Sequence, residues 1–90
     1  MLPLIWSDDA RADASAIVDY ISDRNPAAAQ RMADLFEHTA ERLPAHPYMY
    51  RPGRVPGTRE AVVHPNYILV YRVSDVIEII AVLHARQQYP

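Results

Sequence analysis

The side chains best suited to chemistry in this chain are arginines, histidines and tyrosines, and thirteen of these nineteen residues lie after residue 45. Cysteine and lysine are both absent, so all nine cations are arginines. Without cysteine there can be no disulfide, thiolate nucleophile or cysteine-ligated zinc. Arginine stays protonated near neutral pH, so any proton transfer falls to a histidine, a carboxylate or a tyrosine.

Five arginines in the second half of the sequence predict an anion-binding surface. Arg59 and Arg72 alternate with β-branched residues and are therefore expected on strands. Arg51 and Arg54 lie in the preceding loop and are expected to face outward, and Arg86 follows the last strand-like run. Guanidinium groups bind phosphate or carboxylate with two parallel hydrogen bonds. The alternative is structural: the strand arginines would pair at the sheet rim with carboxylates, the candidates being Glu60, Asp75 and Glu78.

Proton transfer, if there is any, is assigned to His84 at the end of the last strand-like run. A strand-end histidine can equally be structural. Tyr89, next to the C-terminus, could stack on a nucleic-acid base or pin the tail to the domain. No pair of histidines has the i, i+4 helical spacing or shares a strand face, so neither a metal nor a cofactor is expected.

The segment that must position these residues reads as three strands joined by short polar connections. The predicted strands are Thr58–His64, Tyr67–Val73 and Val76–Ala85, and they form an antiparallel meander. Strict alternation along the last strand predicts two faces. Ile77, Ile79, Ala81 and Leu83 would pack on the helices, and the other face would carry Glu78, Ile80, Val82, His84 and Arg86.

Two helices precede the meander. Ser7 is a natural N-cap for a helix that runs to about Arg24, and Asn25 followed by Pro26 starts a second helix that runs to about Leu43. The short connection predicts an antiparallel helical hairpin. With an edge strand at Leu2–Trp6, the order is β-α-α-β-β-β. We therefore predict one α+β domain, residues 1–90, with the hairpin packed on one face of a mainly antiparallel sheet.

Apolar residues outside the main helical stripes predict a partner surface. Val18, Tyr20 and Leu35 lie off the stripes and are expected to be exposed. Met32 and Phe36 have the spacing of core residues but could also line a partner groove. Between the second helix and the meander, residues 43–57 predict an ordered loop without strand structure, with Tyr48, Met49 and Tyr50 anchoring it to the core.

The charge is unevenly distributed and limits the function classes. Residues 1–42 carry four arginines against eight acids, and residues 43–90 carry five arginines against three acids, for a net charge of −2. That balance argues against a strong, sequence-blind nucleic-acid binder. The apolar N-terminus lacks the features of a signal peptide, and no run is long enough to span a bilayer. A cytoplasmic location without membrane contact is expected.

The chain resembles the ParE/RelE superfamily of bacterial type II toxins. The resemblance rests on the element order, on Tyr71-Arg72-Val73, and on the apolar strand that ends Val82-Leu83-His84-Ala85-Arg86-Gln87. The segment HPYMY after the second helix also matches the family pattern. The resemblance implies growth inhibition by a toxin of the kind that stabilises plasmids.

The resemblance implies partners. A cognate antitoxin, ParD-like or RelB-like, would form a hetero-oligomeric complex with the toxin and wrap the helices and sheet. Its contacts would involve Val18, Tyr20, Met32, Leu35, Phe36 and Arg72, with anionic antitoxin side chains near the arginines. The target contacts would involve Arg51, Arg54, Arg59, Arg72, His84 and Arg86.

The superfamily divides by target, and the resemblance leaves three readings. ParE-like members poison DNA gyrase and are not enzymes in that role. RelE-like members cleave messenger RNA on the ribosome with a cluster of Lys and Arg. The missing lysine, the acidic charge and the ending LHARQQ favour the gyrase reading. An mRNA endonuclease is the alternative, with a site built from Arg59, Arg72, His84, Arg86 and Tyr89, and an inactive antitoxin-binding module is the second alternative.

Overall fold

Two helices pack on one face of a five-stranded mixed sheet in the computed structural model, which describes all 90 residues. The elements are β1 (Leu4–Trp6), α1 (Asp8–Ser22), α2 (Pro26–Arg42), β2 (Arg51–Pro52), β3 (Arg59–His64), β4 (Tyr67–Val73) and β5 (Ile77–His84). The strand order is β1-β5-β4-β3-β2, with β1 parallel to β5 and every other pair antiparallel. The predicted α+β class is confirmed, and β2 is an addition.

Both helices begin where their capping residues predict. The Ser7 hydroxyl accepts a hydrogen bond from the Ala10 amide at 3.0 Å, and the Asn25 side chain accepts one from the Ala28 amide at 3.1 Å. Each cap satisfies an amide that has no partner within the helix, which fixes the first turn. Pro26 occupies the first turn of α2, where its missing amide proton costs nothing. The helical hairpin, α1 with α2, is therefore defined by local sequence.

The main core lies between the helical hairpin and the sheet. Phe36 and Leu43 of the helical part meet Leu69, Tyr71 and Ile79 of the sheet, all at most 2% exposed. A second, smaller cluster lies on the opposite side of the sheet, which we call the outer face. There Val70, Ala81 and Leu83 are covered in part by Ile80 and Tyr89. The sheet is thus partly buried on both faces.

A β-bulge in β5 changes which residues reach which face. Val70 pairs with Ala81 but the next residue, Tyr71, pairs with Ile79, so Ile80 has no partner of its own. One extra residue on one strand reverses the alternation beyond it. Ile77 and Ile79 face the helices as predicted, whereas Ala81 and Leu83 belong to the outer face. The predicted single apolar face of the last strand is wrong for those two residues.

The same bulge moves Val82 and His84 to the helical side of the sheet. Val82 belongs to the main core. His84 pairs with Tyr67, whose ring meets the Phe36 ring edge-on at 6.1 Å. The prediction that placed Val82 and His84 on a common face with Glu78 is therefore wrong. The sequence has no glycine or proline at the bulge from which it could have been predicted.

The loop between α2 and β3 is ordered but is not anchored as predicted. Tyr50 packs against the main core, whereas Tyr48 and Met49 are 66% and 46% exposed. The two-residue strand β2 pairs with the start of β3, joining Arg51 to Glu60 and Pro52 to Arg59. A proline suits this position because an edge strand leaves one row of amides without partners. Neither helix is long and apolar enough to cross a membrane.

Candidate functional site

The first group of arginines converges on a buried carboxylate. Glu60 is 3% exposed on the outer face of β3. It accepts a hydrogen bond from the Arg54 backbone amide at 2.9 Å, and its oxygens lie 3.2 Å from Arg54 Nε and 3.3 Å from Arg51 Nη2. Arg51 and Arg54 were predicted to face outward as anion ligands. Both side chains are exposed, at 59% and 36%, and their guanidinium groups also pair with Glu60, which neutralises one of the two charges.

Arg59 is turned away from the other arginines. Its Nη1 donates to the Tyr50 carbonyl at 2.7 Å, and its guanidinium lies 5.0 Å from the centre of the Tyr48 ring. Arg59 therefore holds the loop before β2 against the start of β3. Carboxylate pairing at the sheet rim was the structural alternative for both strand arginines, Arg59 and Arg72. Arg59 forms no such pair.

Tyr71 fastens the same loop from the core side. Its hydroxyl donates to the Pro47 carbonyl at 2.8 Å. Burial raises the pKa of Tyr71 above its ordinary value, while the nearby Arg59 guanidinium acts in the opposite direction. The hydroxyl is thus kept protonated, as a hydrogen-bond donor to a carbonyl must be.

The two remaining arginines are exposed and have no buried partner. Arg72 lies 3.8 Å from Glu78 across the strands, and both side chains are substantially exposed, at 51% and 39%. An exposed ion pair of this kind contributes about 0–1 kcal/mol to folding stability and opens easily. Arg86 is exposed in the tail and forms no ion pair. Arg72 and Arg86 can therefore reach a partner without breaking a buried contact.

His84 belongs to a different group of side chains, at the end of the sheet. The Tyr67 ring lies between two imidazoles, 5.6 Å from His84 and 6.0 Å from His64 by ring centres. Each imidazole Nδ1 accepts a backbone amide at 3.1 Å, from Arg86 and from Asn66 respectively. The neutral rings therefore carry their proton on Nε2, where it is available to a partner.

Tyr67 and His84 border a hollow of about 610 Å³ at the edge of α1, and His64 lies outside its lining. Ile17 and Tyr20 form its helical wall, and Gln87 closes it from the tail. Sequence reasoning missed His64 and Tyr67. Both could have been predicted from the two consecutive hairpins, because antiparallel pairing brings the end of β3, the start of β4 and the end of β5 to the same end of the sheet.

Tyr89 lies on the other side of the sheet from His84. It packs, partly buried, on the outer cluster of Val70, Ala81 and Leu83. The tail before it is tied down by two bonds: Arg54 Nη1 donates to the Gln87 carbonyl at 3.2 Å, and the His84 amide donates to Gln87 Oε1 at 3.2 Å. Of the two expectations for Tyr89, the structure favours the one in which it pins the tail.

The surface of the helical hairpin holds the residues predicted to meet a partner. Tyr20 and Leu35 are 59% and 40% exposed, and the Arg24 guanidinium lies 3.8 Å from the centre of the Tyr20 ring. Val18 is half-buried in the wall of a groove between the helices, whereas Met32 and Phe36 are buried core residues. No group of three or more histidine and carboxylate side chains is placed to hold a metal ion.

The fold, two helices on one face of a five-stranded sheet, is that of the small toxins of the ParE/RelE superfamily. A chain of the chromosomal ParDE toxin–antitoxin system of P. aeruginosa superposes with a TM-score of 0.82 at 26% identity, covering 93% of this chain and 96% of that one. YoeB of Staphylococcus aureus, solved as a dimer, has the same fold with a TM-score of 0.65 at 16% identity.

Sequence comparison identifies the family within this superfamily. The family model of the ParE toxin of the type II toxin–antitoxin system parDE matches residues 4–89, and the chain belongs to that family. Toxin RelE2 of Caulobacter vibrioides is 38% identical over 86 residues, 94% of this chain and 97% of that protein. The protein Y4kP of Sinorhizobium fredii is 37% identical over 86 residues, 94% of this chain and 90% of that one.

Proposed function

We propose that this toxin acts as a ParE-like poison of DNA gyrase and that a cognate antitoxin neutralises it. The observation that carries the choice of target is the dispersal of the arginines. Arg51 and Arg54 pair with the buried Glu60, and Arg59 is bonded to its own loop. Cleaving an RNA backbone calls for cations gathered around one phosphate, where they can stabilise the developing charge.

The position of His84 supports the same choice. A proton-transfer group must lie within hydrogen-bond reach of the reacting oxygen, with the stabilising cations beside it. His84 lies on the helical side of the sheet with Tyr67, whereas Arg72 and Tyr89 lie on the outer face. Three of the five residues of the alternative ribonuclease site are therefore divided between the two faces of the sheet.

We propose that the two exposed arginines without a buried partner, Arg72 and Arg86, carry the contact with gyrase. Both are exposed and neither is held by a buried partner. The three other arginines assigned to the target surface contribute indirectly, by holding the loop that borders β3. The antitoxin contact is assigned to the helical hairpin, where Val18, Tyr20 and Leu35 are accessible, in a hetero-oligomeric complex.

Ribosome-dependent cleavage of messenger RNA is the second candidate. Two observations favour it: the relative named toxin RelE2 at 38% identity, and the His84 imidazole, which lies beside Tyr67 in the lining of an open hollow with its Nδ1 occupied by a backbone amide. A ribonuclease reading would place the reacting phosphate in that hollow. The nearest cation in the chain order is Arg86, which follows His84 by two residues.

Pulse labelling after induction of the toxin without its antitoxin distinguishes the targets. The gyrase reading predicts that incorporation of thymidine falls first, while incorporation of methionine continues. An early fall of methionine incorporation, accompanied by cuts within translated messages, would support the ribonuclease reading instead. No change in either label, together with tight antitoxin binding, would leave an inactive antitoxin-binding module.

A further inference from the structure

The chain leaves β5 through a surface turn, residues 84–87, which we call the tail turn. The Gln87 amide donates to the His84 carbonyl at 2.9 Å and closes it as a β-turn. Ala85 and Arg86 occupy the two central positions, and the side chains of His84, Arg86 and Gln87 are exposed. An exposed turn can leave its other amides to water, so the acceptors of those amides show how firmly the turn is held.

Every backbone amide of the tail turn has an acceptor within the protein. The His84 amide donates to Gln87 Oε1 at 3.2 Å. The Ala85 amide donates to the carbonyl of Asn66, in the connection between β3 and β4, at 2.7 Å. The Arg86 amide donates to His84 Nδ1 at 3.1 Å. Four consecutive amides are therefore bonded internally, and the backbone of the turn is preorganised before any partner arrives.

The contact between His84 Nδ1 and the Arg86 amide has a counterpart in the neighbouring turn. His64 Nδ1 accepts the Asn66 amide at 3.1 Å, again two residues further along the chain. Asparagine side chains accept the same amide in an Asx-turn. The Asn66 carbonyl is in turn the acceptor of the Ala85 amide, so the two turns support each other. In both turns the histidine acts through Nδ1, and Nε2 takes no part.

Arg86 combines a fixed backbone with a free side chain. Its guanidinium forms no ion pair, whereas the guanidinium groups of Arg51 and Arg54 pair with Glu60. Arg54 Nη1 also donates to the Gln87 carbonyl at 3.2 Å, which ties the end of the tail turn to the loop after β2. A cation on a preorganised backbone loses less conformational freedom on binding than a cation on a mobile tail.

Building on the assignment of Arg86 to the target contact, which is part of the proposed function, we propose that His84 is a positioning residue for Arg86. His84 Nδ1 fixes the Arg86 amide and thereby the backbone from which the guanidinium projects. Proton transfer would use Nε2, because Nδ1 is already occupied by the amide. The two roles of His84 therefore depend on different nitrogens of the same ring.

Two substitutions that differ by one methylene group separate these roles. His84→Asn keeps an acceptor that can reach the amide two residues further on, as in an Asx-turn. His84→Gln carries the same amide group one methylene further from the backbone, and His84→Ala removes the acceptor altogether. The first measurement is hydrogen exchange of the Arg86 amide, followed by NMR in the free toxin. It requires no target and therefore does not depend on the proposed function.

One net hydrogen bond changes an equilibrium about fivefold, so the Arg86 amide should exchange about fivefold faster in His84→Ala and His84→Gln. In His84→Asn it should exchange within about twofold of the wild-type rate. The second measurement is the toxin concentration that traps half-maximal linear plasmid with gyrase and ATP. It should rise by about the same factor in His84→Ala and His84→Gln, and His84→Asn should recover most of the loss.

Two outcomes would overturn the positioning role. One is an Arg86 amide that exchanges at the wild-type rate in His84→Ala and His84→Gln. The other is an activity that is equally impaired in all three variants, as proton transfer requires, or impaired in none. Circular dichroism checks that each variant is folded, and the comparison of Asn with Gln decides if His84→Ala is not. Absence of linear plasmid with wild-type toxin would refute the gyrase target instead, and growth arrest without antitoxin should then rank the variants in the same order.

Discussion

Replacing Glu60 with alanine removes the one buried carboxylate of the protein. The Arg54 amide then loses a charged acceptor at 2.9 Å, a contact worth about 1.5–3 kcal/mol. The two guanidinium contacts, at 3.2 and 3.3 Å, contribute less because Arg51 is 59% exposed and Arg54 36% exposed. Part of this loss of stability is offset because the Glu60 carboxylate no longer has to be desolvated on folding. The expected destabilisation is about 2–3 kcal/mol.

Urea or thermal unfolding measures this loss directly. For a domain of 60–100 residues, 1 kcal/mol corresponds to about 4–8 °C in Tm, so Glu60→Ala should unfold about 10–20 °C below wild type. Glu60→Gln keeps an acceptor for the Arg54 amide and should lose only about 1 kcal/mol. Glu78→Ala, on the same sheet face but in an exposed pair, is the control and should change stability by less than about 0.5 kcal/mol.

The reasoning fails if Glu60→Ala unfolds within 0.5 kcal/mol of wild type by this measurement. That outcome would mean that the carboxylate holds neither arginine in solution. The arginines would then be available to bind an anion, and the argument against a phosphate-cleaving site would lose its main support. A stable Glu60→Ala protein would also be expected to bind RNA more tightly than wild type.

Three further predictions test the outer cluster, the loop and the two arginines without a buried partner. Leu83→Asp should prevent cooperative folding, because it places a charge in the outer cluster where Leu83 is 2% exposed; a soluble protein with a cooperative urea transition would refute the burial. Tyr71→Phe should cost about 1–2 kcal/mol at neutral pH, because the Pro47 carbonyl loses its donor. Because the pKa of Tyr71 is raised in the folded protein, its contribution to stability is complete below pH 10 and declines as the pH rises above that value. The stability of the wild type should therefore fall more steeply at alkaline pH than that of Tyr71→Phe. Parallel declines in the two proteins would contradict this. Replacing Arg72 and Arg86 together with alanine should leave Tm within about 3 °C of wild type but reduce toxicity, and unchanged growth arrest would remove both from the target contact.

Local signals in the sequence were sufficient for most of the architecture. Ser7 and the Asn25-Pro26 pair predicted both helix starts because capping depends only on residues within one turn. The three strands of the meander were predicted because short polar connections separate β-branched runs. Short elements lack such signals: β2 has two residues, and its pairing with β3 follows from tertiary contacts.

The candidate site was less predictable because it depends on register. One unpaired residue, Ile80, reverses the alternation of β5 and separates His84 from Arg72. Nothing in the composition of β5 marks that residue, since it is as β-branched as its neighbours. The Glu60 contacts were missed for a related reason. Carboxylate pairing was the structural alternative for the strand arginines, and Arg72 forms such a pair with Glu78, whereas the arginines that pair with Glu60 come from β2 and the loop after it.

The measurement that tests the central claim most directly is a cleavage assay with purified components. Toxin, DNA gyrase, ATP and supercoiled plasmid are incubated together, and the trapped cleavage complex is scored as linear plasmid after denaturation. The account predicts linear plasmid that depends on the toxin and on ATP and disappears when antitoxin is added. Codon-specific cutting of ribosome-bound messenger RNA by the same preparation, with no effect on gyrase, would contradict it.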